Sequence, residues 1–174
     1  SAARRTVAVP STARYDKSMI LALLSLVCAE PHWTVTVDPL TTAIGLLHVQ
    51  VERDLGRHFS LYLSPSVRVF DGILPTFNGP YVGVGAEAGF RGFFVGDAPE
   101  GGWVMLRGVV ARLSTADEVA PGAYTSALVG YTGILGPGLV LSGGAGVSYF
   151  AYTVGGYGIR GFAPALHTNI GWAF

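Results

Sequence analysis

The C-terminal segment Phe162–Phe174 reads FAPALHTNIGWAF. Its even-numbered positions carry bulky, mostly apolar side chains, and its odd-numbered positions carry small or polar ones. Because successive side chains of a β-strand point to opposite faces, this period of two predicts a strand with two different faces. In a soluble sandwich the polar face would be rich in Lys and Glu. Here it holds Gly, Ala, His and Asn, which is typical of the inside of a narrow barrel.

The same alternation recurs along the chain from Trp33 onward. The predicted strands are 33–38, 45–54, 57–70, 80–95, 102–114, 122–134, 139–152 and 162–174. The first of them brings the number to eight, in keeping with the even strand numbers of bacterial single-chain barrels. We therefore predict an all-β fold, an eight-stranded antiparallel up-and-down transmembrane barrel with both ends in the periplasm.

Composition favours a surface that contacts lipid. The chain has 174 residues, of which 50% are hydrophobic and 13% are charged, whereas soluble domains carry about 25% charged residues. A surface in hydrocarbon needs little charge. The 11 basic and 11 acidic residues balance and form no basic stripe, so the sequence argues against nucleic-acid binding.

The connections between the predicted strands alternate in length. Turns 55–57 and 135–138 are tight, whereas loops 71–79, 115–122 and 153–161 are longer. Outer-membrane barrels have short periplasmic turns and longer extracellular loops, so this alternation orients the chain. Asp38–Thr42 would form the first outer turn.

Residues 1–29 have the features of a secretory leader, which leaves 30–174 as the barrel. Basic residues precede an apolar stretch at Met19–Leu24, and Val27-Cys28-Ala29 offers a cleavage site. The apolar stretch is too short for a transmembrane helix, which needs about 20 residues. The alternative is an ordered N-terminal segment that packs on the barrel.

The segment Asp38-Pro39-Leu40 … Gly45, followed by Val49–Leu55, resembles the opening of small bacterial outer-membrane β-barrels, the eight-stranded OmpA/OmpX-like proteins, and Leu166–Phe174 resembles their closing strand. The resemblance covers about 140 residues as a pattern, and its specific part is the closing strand. It implies an outer-membrane location and insertion by the barrel-assembly machinery, which reads a terminal aromatic such as Phe174. It implies no particular activity.

Alternation places charged side chains inside the predicted barrel. These are Glu52, Arg68, Glu87, Arg91 and Arg107, accompanied by the polar residues His48, Tyr62, His167 and Asn169. Buried charges must be paired, so we predict an internal Glu–Arg network, with Glu87 diagonal to Arg107 on the next strand. The network either replaces a hydrophobic core or forms a gate across a narrow conduit.

Two further groups are candidates for contacts outside the barrel. Trp33, Trp103, Trp172 and Phe174 fall near predicted periplasmic strand ends, where aromatic residues favour the membrane interface. The loop residues Ile73, Leu74 and Phe77 could contact lipopolysaccharide or a protein partner.

A catalytic or metal site has little support. His167, Thr168 and Asn169 invite comparison with the His-x-Ser-Asn segment of outer-membrane lipid A deacylases, but alternation sends Thr168 to lipid and His167 to the lumen. The histidines His48, His58 and His167 could all face inward, yet their spacing forms no metal motif. We expect no enzyme activity, no metal and no cofactor.

The sequence thus predicts an outer-membrane barrel with a structural role or a role mediated by its loops. Its expected partners are membrane lipids and lipopolysaccharide, the assembly machinery and a possible protein at the extracellular loops. The alternatives are a narrow channel and a lipid-modifying enzyme. A soluble barrel of the lipocalin type is the rival fold, and it would bury its bulky apolar residues inside.

Overall fold

A computed structural model describes residues 32–43, 45–68 and 81–174. The predicted leader 1–29 lies outside the described residues. So does the predicted interaction loop with Ile73, Leu74 and Phe77. In the described part, no helix is long and apolar enough to cross a bilayer.

The described residues form a closed barrel in which each strand is antiparallel to the next and β8 pairs with β1. The elements are β1 (Trp33–Val37), α1 (Pro39–Ala43), β2 (Leu46–Asp54), β3 (Phe59–Arg68), β4 (Val82–Val95), β5 (Gly101–Ser114), β6 (Val119–Leu135), β7 (Leu139–Val154) and β8 (Tyr157–Ala173). The prediction of an eight-stranded antiparallel barrel is confirmed. Because β1 is short, it pairs with β8 only from Ile170 to Ala173, and among the described strands none pairs with the rest of that edge of β8.

The two ends of the barrel sequence meet at one rim. The backbone N–H of Trp33 donates to the carbonyl of Phe174 at 3.0 Å, and the N–H of Phe174 donates to the carbonyl of Trp33 at 2.9 Å. We call this end of the barrel the terminal rim and the opposite end the far rim. The turns β2–β3, β4–β5 and β6–β7 lie at the terminal rim.

The two faces of each strand differ as the alternation predicted. On β3, Leu61 and Leu63 are exposed while Tyr62 and Ser64 between them are buried. On β8, Leu166 and Ile170 are exposed while His167 and Asn169 are buried. Bulky apolar side chains therefore cover the outside of the cylinder, and polar side chains fill its bore.

Three connections differ from the predictions. The predicted first outer turn contains the short helix α1, because the Asp38 carboxylate caps it by accepting from the N–H groups of Leu40 and Thr41. The prediction of a long loop at 153–161 is wrong, because β7 and β8 stay paired up to a turn at Gly155 and Gly156. Both glycines have positive φ, 56° and 81°, as a tight hairpin turn requires.

The acidic loop predicted at 115–122 is also shorter than expected. It spans the residues between Ser114 and Val119, because the hydroxyl of Thr115 accepts from the N–H of Glu118 and closes the turn early. Cross-strand pairing continues through glycine and polar residues that the sequence assigns to loops. The contrast in length between the two rims is consequently smaller than predicted.

Candidate functional site

Two ion pairs lie in the middle of the lumen, and all four side chains are buried. Nη1 of Arg91 on β4 lies 2.8 Å from Oε2 of Glu52 on β2. Nη1 of Arg107 on β5 lies 3.5 Å from Oε1 of Glu87 on β4. Four of the five predicted charges form these two pairs, which include the expected diagonal pair of Glu87 with Arg107. Arg91 pairs with Glu52 on β2, although Glu87 lies on the same strand as Arg91.

Neutral side chains complete the hydrogen bonding of Glu52. The hydroxyl of Ser60 donates to Oε1, and Nε2 of Gln50 donates to Oε2 at 3.2 Å. The Gln50 amide oxygen accepts in turn from Nδ2 of Asn169 at 3.0 Å. These bonds connect β8, β2 and β3 around one carboxylate. A charged group that is buried away from water needs hydrogen-bond partners of this kind.

The second carboxylate is held in the same way. Glu87 accepts from the hydroxyl of Tyr62 at 2.5 Å and from that of Tyr124 at 3.2 Å. Its partner Arg107 donates through Nε to the hydroxyl of Ser126 at 3.2 Å. The Ser126 oxygen lies 2.6 Å from that of Ser148 on β7, which extends the network to a further strand.

His167 lies between the two arginines. Its Nε2 is 2.7 Å from Nη2 of Arg91, and its Nδ1 is 3.4 Å from Nη1 of Arg107. Because a guanidinium can only donate, Nε2 must accept from Arg91 and is therefore the unprotonated nitrogen. A neutral imidazole in this position joins the network without adding a third positive charge.

An apolar plug lies in the lumen beside this network. Its members are Tyr62, Phe93, Trp103, Met105 and Leu128, together with the small residue Ala165. Trp103 has no exposed surface, and its indole N–H donates to the hydroxyl of Thr132 at 2.9 Å. The guanidinium of Arg91 lies 4.7 Å from its ring centroid.

The assignment of Trp103 to the outer aromatic group is therefore wrong. Trp103 shares the lumen-facing phase of β5 with Arg107, four residues further on, and that shared phase is the signal that could have placed it inside. Its position near a strand end favoured the opposite interpretation. Gly130 and Gly144 make room for the ring, since a Cβ on either would approach its atoms to 2.4–2.5 Å.

The other predicted aromatic residues are exposed at one end of the barrel. Trp33, Trp172 and Phe174 are exposed on the outer face at the terminal rim. The guanidinium of Arg53 lies 5.1 Å from the centroid of the Trp33 ring. These three side chains form a partial aromatic girdle at one height of the barrel.

The remaining predicted lumen residues are distributed along the bore. Arg68 is buried nearer the far rim, where Nη1 donates to the hydroxyl of Tyr81 at 2.9 Å and the guanidinium lies over that ring. His48 is buried, and its Nδ1 lies 3.3 Å from the hydroxyl of Thr41. His58 is exposed in the β2–β3 turn, so the suggestion that it faces inward is wrong.

The deacylase-like arrangement does not form in the described residues. The hydroxyl of Thr168 donates to Oδ1 of Asp38 at 2.6 Å and lies on the opposite face from His167. Both nitrogens of His167 face guanidinium groups rather than a nucleophile and a carboxylate. The described part of the chain also contains no group of three or more His, Cys, Asp or Glu side chains placed to hold a metal ion.

Sequence reasoning missed several members of the network. These are Gln50, Ser60, Tyr124 and Ser126. Alternation puts Gln50 and Ser60 on the inner face but does not give their partners, and the alternation of 124–135 is ambiguous, so it does not place Tyr124 and Ser126. Comparisons with protein-family models, curated protein sequences and solved structures gave no match.

Proposed function

We propose that the chain is an integral outer-membrane β-barrel protein of the same general kind as the small OmpA/OmpX-like barrels, with a structural role or a role mediated by its loops. The observation that carries the proposal is the inversion of its two surfaces. Glu52, Glu87, Arg91 and Arg107 are each at most 8% exposed, whereas Leu63, Leu106 and Val110 are 60–66% exposed. A protein that folds in water has no reason to adopt this arrangement.

The apolar surface also has the height of a bilayer. On β8 the exposed bulky residues after Gly161 run from Phe162 to Trp172, and Tyr157 and Ile159 are exposed nearer the far rim. At a rise of about 3.3 Å per residue the stretch from Phe162 to Trp172 is about 33 Å along the strand, and a tilt of about 40° reduces it to about 25 Å along the barrel axis. The apolar band of outer-membrane barrels is about 25 Å tall.

In the proposed topology the terminal rim faces the periplasm and the far rim faces outward. Membrane lipids and lipopolysaccharide then surround the apolar band. The barrel-assembly machinery would recognise the strand that ends in Phe174, and a protein partner could bind the extracellular loops. We propose no catalytic role, no cofactor and no nucleic-acid ligand.

The alternative of a narrow channel is less well supported. The lumen holds both the apolar plug around Trp103 and the two buried ion pairs. Any ion passing through would have to displace a side chain without exposed surface and break a buried pair. We therefore favour a filled barrel.

Membrane fractionation combined with gel electrophoresis tests the proposal. The protein should sediment with the outer membrane and resist extraction by alkaline carbonate. It should also migrate differently on a denaturing gel before and after boiling, because a folded barrel binds less detergent. A soluble, heat-independent species would overturn the proposal.

A pair of variants tests the assembly route. Phe174→Ala should lower the amount of folded barrel assembled in cells, while refolding of the purified chain into detergent micelles is retained. Val119→Ala removes a similarly exposed side chain from the far rim and is the matched control. Equal assembly of both variants in cells would argue against recognition of the terminal aromatic.

A further inference from the structure

A second feature of the lumen is a cavity of about 210 Å³ on the far-rim side of the charge network, here called the far cavity. Aromatic rings and guanidinium groups form much of its wall. They belong to Arg68, Tyr81, Arg107, Tyr124, Phe150 and Tyr152. Among the described residues no carboxylate lines it. The cavity therefore combines apolar surface with hydrogen-bond donors and positive charge.

The far cavity extends to the wall between β2 and β8. It is lined by Thr41 of α1, by Leu46 of β2 and by Pro164 and Leu166 of β8. Pro164 and Leu166 are exposed on the outer face. The cavity therefore borders an open edge of β8, where β1 does not lie between β2 and β8.

The open edge exists because β1 is short. It pairs with β8 only from Ile170 to Ala173, whereas β8 continues to Tyr157 at its far-rim end. No described strand pairs with this part of β8 on the side of β1. Helix α1 borders it instead, and Thr41 of α1 lines the far cavity.

Two features of β8 adapt this edge to lie unpaired. The N–H of Thr168 points to the β1 side and donates to the Asp38 carboxylate at 3.3 Å. Even-numbered residues of β8 share that direction, as the N–H of Phe174 does in its bond to Trp33. Pro164 is therefore on the open side, where it has no N–H to leave unsatisfied. Unpaired backbone in hydrocarbon is tolerated only beside a polar cavity, and the far cavity provides one.

We propose that the gap between β2 and β8 is a lateral portal through which the far cavity takes up part of a single-chain anionic amphiphile, such as a fatty acid. This proposal rests on the membrane location proposed above. The acidic head would bind near Arg68 and Arg107, since an arginine carries five N–H donors and can serve several acceptors. The hydrocarbon chain would leave past Pro164 and Leu166 into the bilayer.

The size of the far cavity supports this mode of binding. Pockets that enclose a whole drug-sized ligand measure about 300–1,000 Å³, and the far cavity is smaller. It would hold only a segment of a long chain, and the portal would allow the remainder to stay in lipid. A fully water-soluble ligand would have no use for an opening toward the bilayer.

Photolabelling in vesicles tests the proposal. The barrel is reconstituted with a long-chain fatty acid that carries a diazirine group, irradiated and mapped by peptide mass spectrometry. Adducts on Tyr124, Phe150 or Tyr152 inside the far cavity are expected, besides adducts on lipid-facing residues. Adducts confined to lipid-facing residues would overturn the portal and leave the membrane location standing. Absence of adducts on both surfaces would overturn both proposals.

Variants test the role of charge. Arg68→Gln should reduce labelling inside the far cavity by about tenfold, the value of one charge-assisted hydrogen bond. Arg112→Gln, an exposed arginine on the outer face of β5, is the matched control and should change nothing. A fatty alcohol with the same diazirine should label the cavity weakly in the unchanged barrel and in both variants. Equal labelling by acid and alcohol would overturn the anionic preference.

A second variant guards against loss of folding. Thr41→Phe narrows the portal from the side of α1 and leaves both arginines in place. It should abolish labelling inside the cavity while the protein keeps its heat-dependent gel migration. Unchanged labelling of this folded variant would show that the amphiphile does not enter between β2 and β8.

Discussion

Arg91 and Glu52 form a buried ion pair at 2.8 Å although β3 separates their strands. The two side chains meet across the bore, so they join wall segments that share no backbone hydrogen bonds. His167 adds β8 to the same point through its 2.7 Å contact with Arg91. Polar groups thereby connect strands β2, β4 and β8 through the lumen.

Removal of one charge from this pair should destabilise the barrel strongly. Glu52→Gln leaves the Arg91 guanidinium buried without its counter-charge, which costs about 3–5 kcal/mol. Urea unfolding in lipid vesicles, followed by tryptophan fluorescence, measures the loss. Asp97→Asn is the control, because its ion pair with Arg57 is exposed and is worth about 0–1 kcal/mol. Equal effects of the two variants would contradict the role of burial.

Gly89 should tolerate no side chain. A Cβ at this position would lie 2.1 Å from Cε1 of Tyr62, a ring held by its bond to Glu87. We expect Gly89→Ala to cost about 1–3 kcal/mol through overpacking. Gly108→Ala on the neighbouring strand meets nothing within 4 Å and should be neutral. The double variant with Tyr62→Ala should be no less stable than Tyr62→Ala alone, and additive losses would argue against this clash.

The cost of introducing a charge on the outer face should depend on how deep the position lies in the bilayer. Leu106 is 66% exposed near the middle of β5, and Val119 is 52% exposed at the far-rim end of β6. Leu106→Arg should lower the free energy of unfolding in vesicles by about 2–4 kcal/mol, and Val119→Arg by about 0–1 kcal/mol. Similar small values at both positions would mean that this face does not contact hydrocarbon.

The filled bore should conduct poorly. Trp103 and the two ion pairs obstruct it, so purified barrel in a planar bilayer should give no resolved unitary openings above the detergent blank. Reproducible steps with a single conductance would favour the narrow channel instead. Preparations must contain folded barrel, which the gel shift on boiling verifies.

Asp38 should control the stability of α1 and of the adjoining edge of β8. Asp38→Ala removes the helix cap and the acceptor for the Thr168 N–H, at a cost of about 1–2 kcal/mol. Hydrogen exchange should become faster at Leu40, Thr41 and Thr168. Asp117→Ala, in an exposed turn, is the control. Unchanged protection at Thr168 would show that the Asp38 bond is dispensable.

Several features of the barrel could be predicted from local pattern. The period of two assigned the strands and put Glu52, Glu87, Arg91 and Arg107 on the inner face, because each side chain's face follows from its neighbours along the chain. The diagonal contact of Glu87 with Arg107 also followed, since the β4–β5 turn is short. Such inferences need only one strand, or two strands joined by a tight connection.

Other features depended on the closed tertiary structure. Strand register decides that Arg91 pairs with Glu52 and that Trp103 lies in the lumen. The length of β1 decides that a gap remains beside β8. The position of a residue in the alternating pattern decides whether its side chain points inward or outward. The offset in register between neighbouring strands, summed around the barrel, decides which inward side chains meet across the bore. That offset is set by pairing between distant segments and by closure of β1 on β8, and no single stretch of sequence encodes it. The sequence by itself therefore determined the strands, their faces and the contact between neighbouring strands, and the tertiary structure alone decided which side chains pair across the bore.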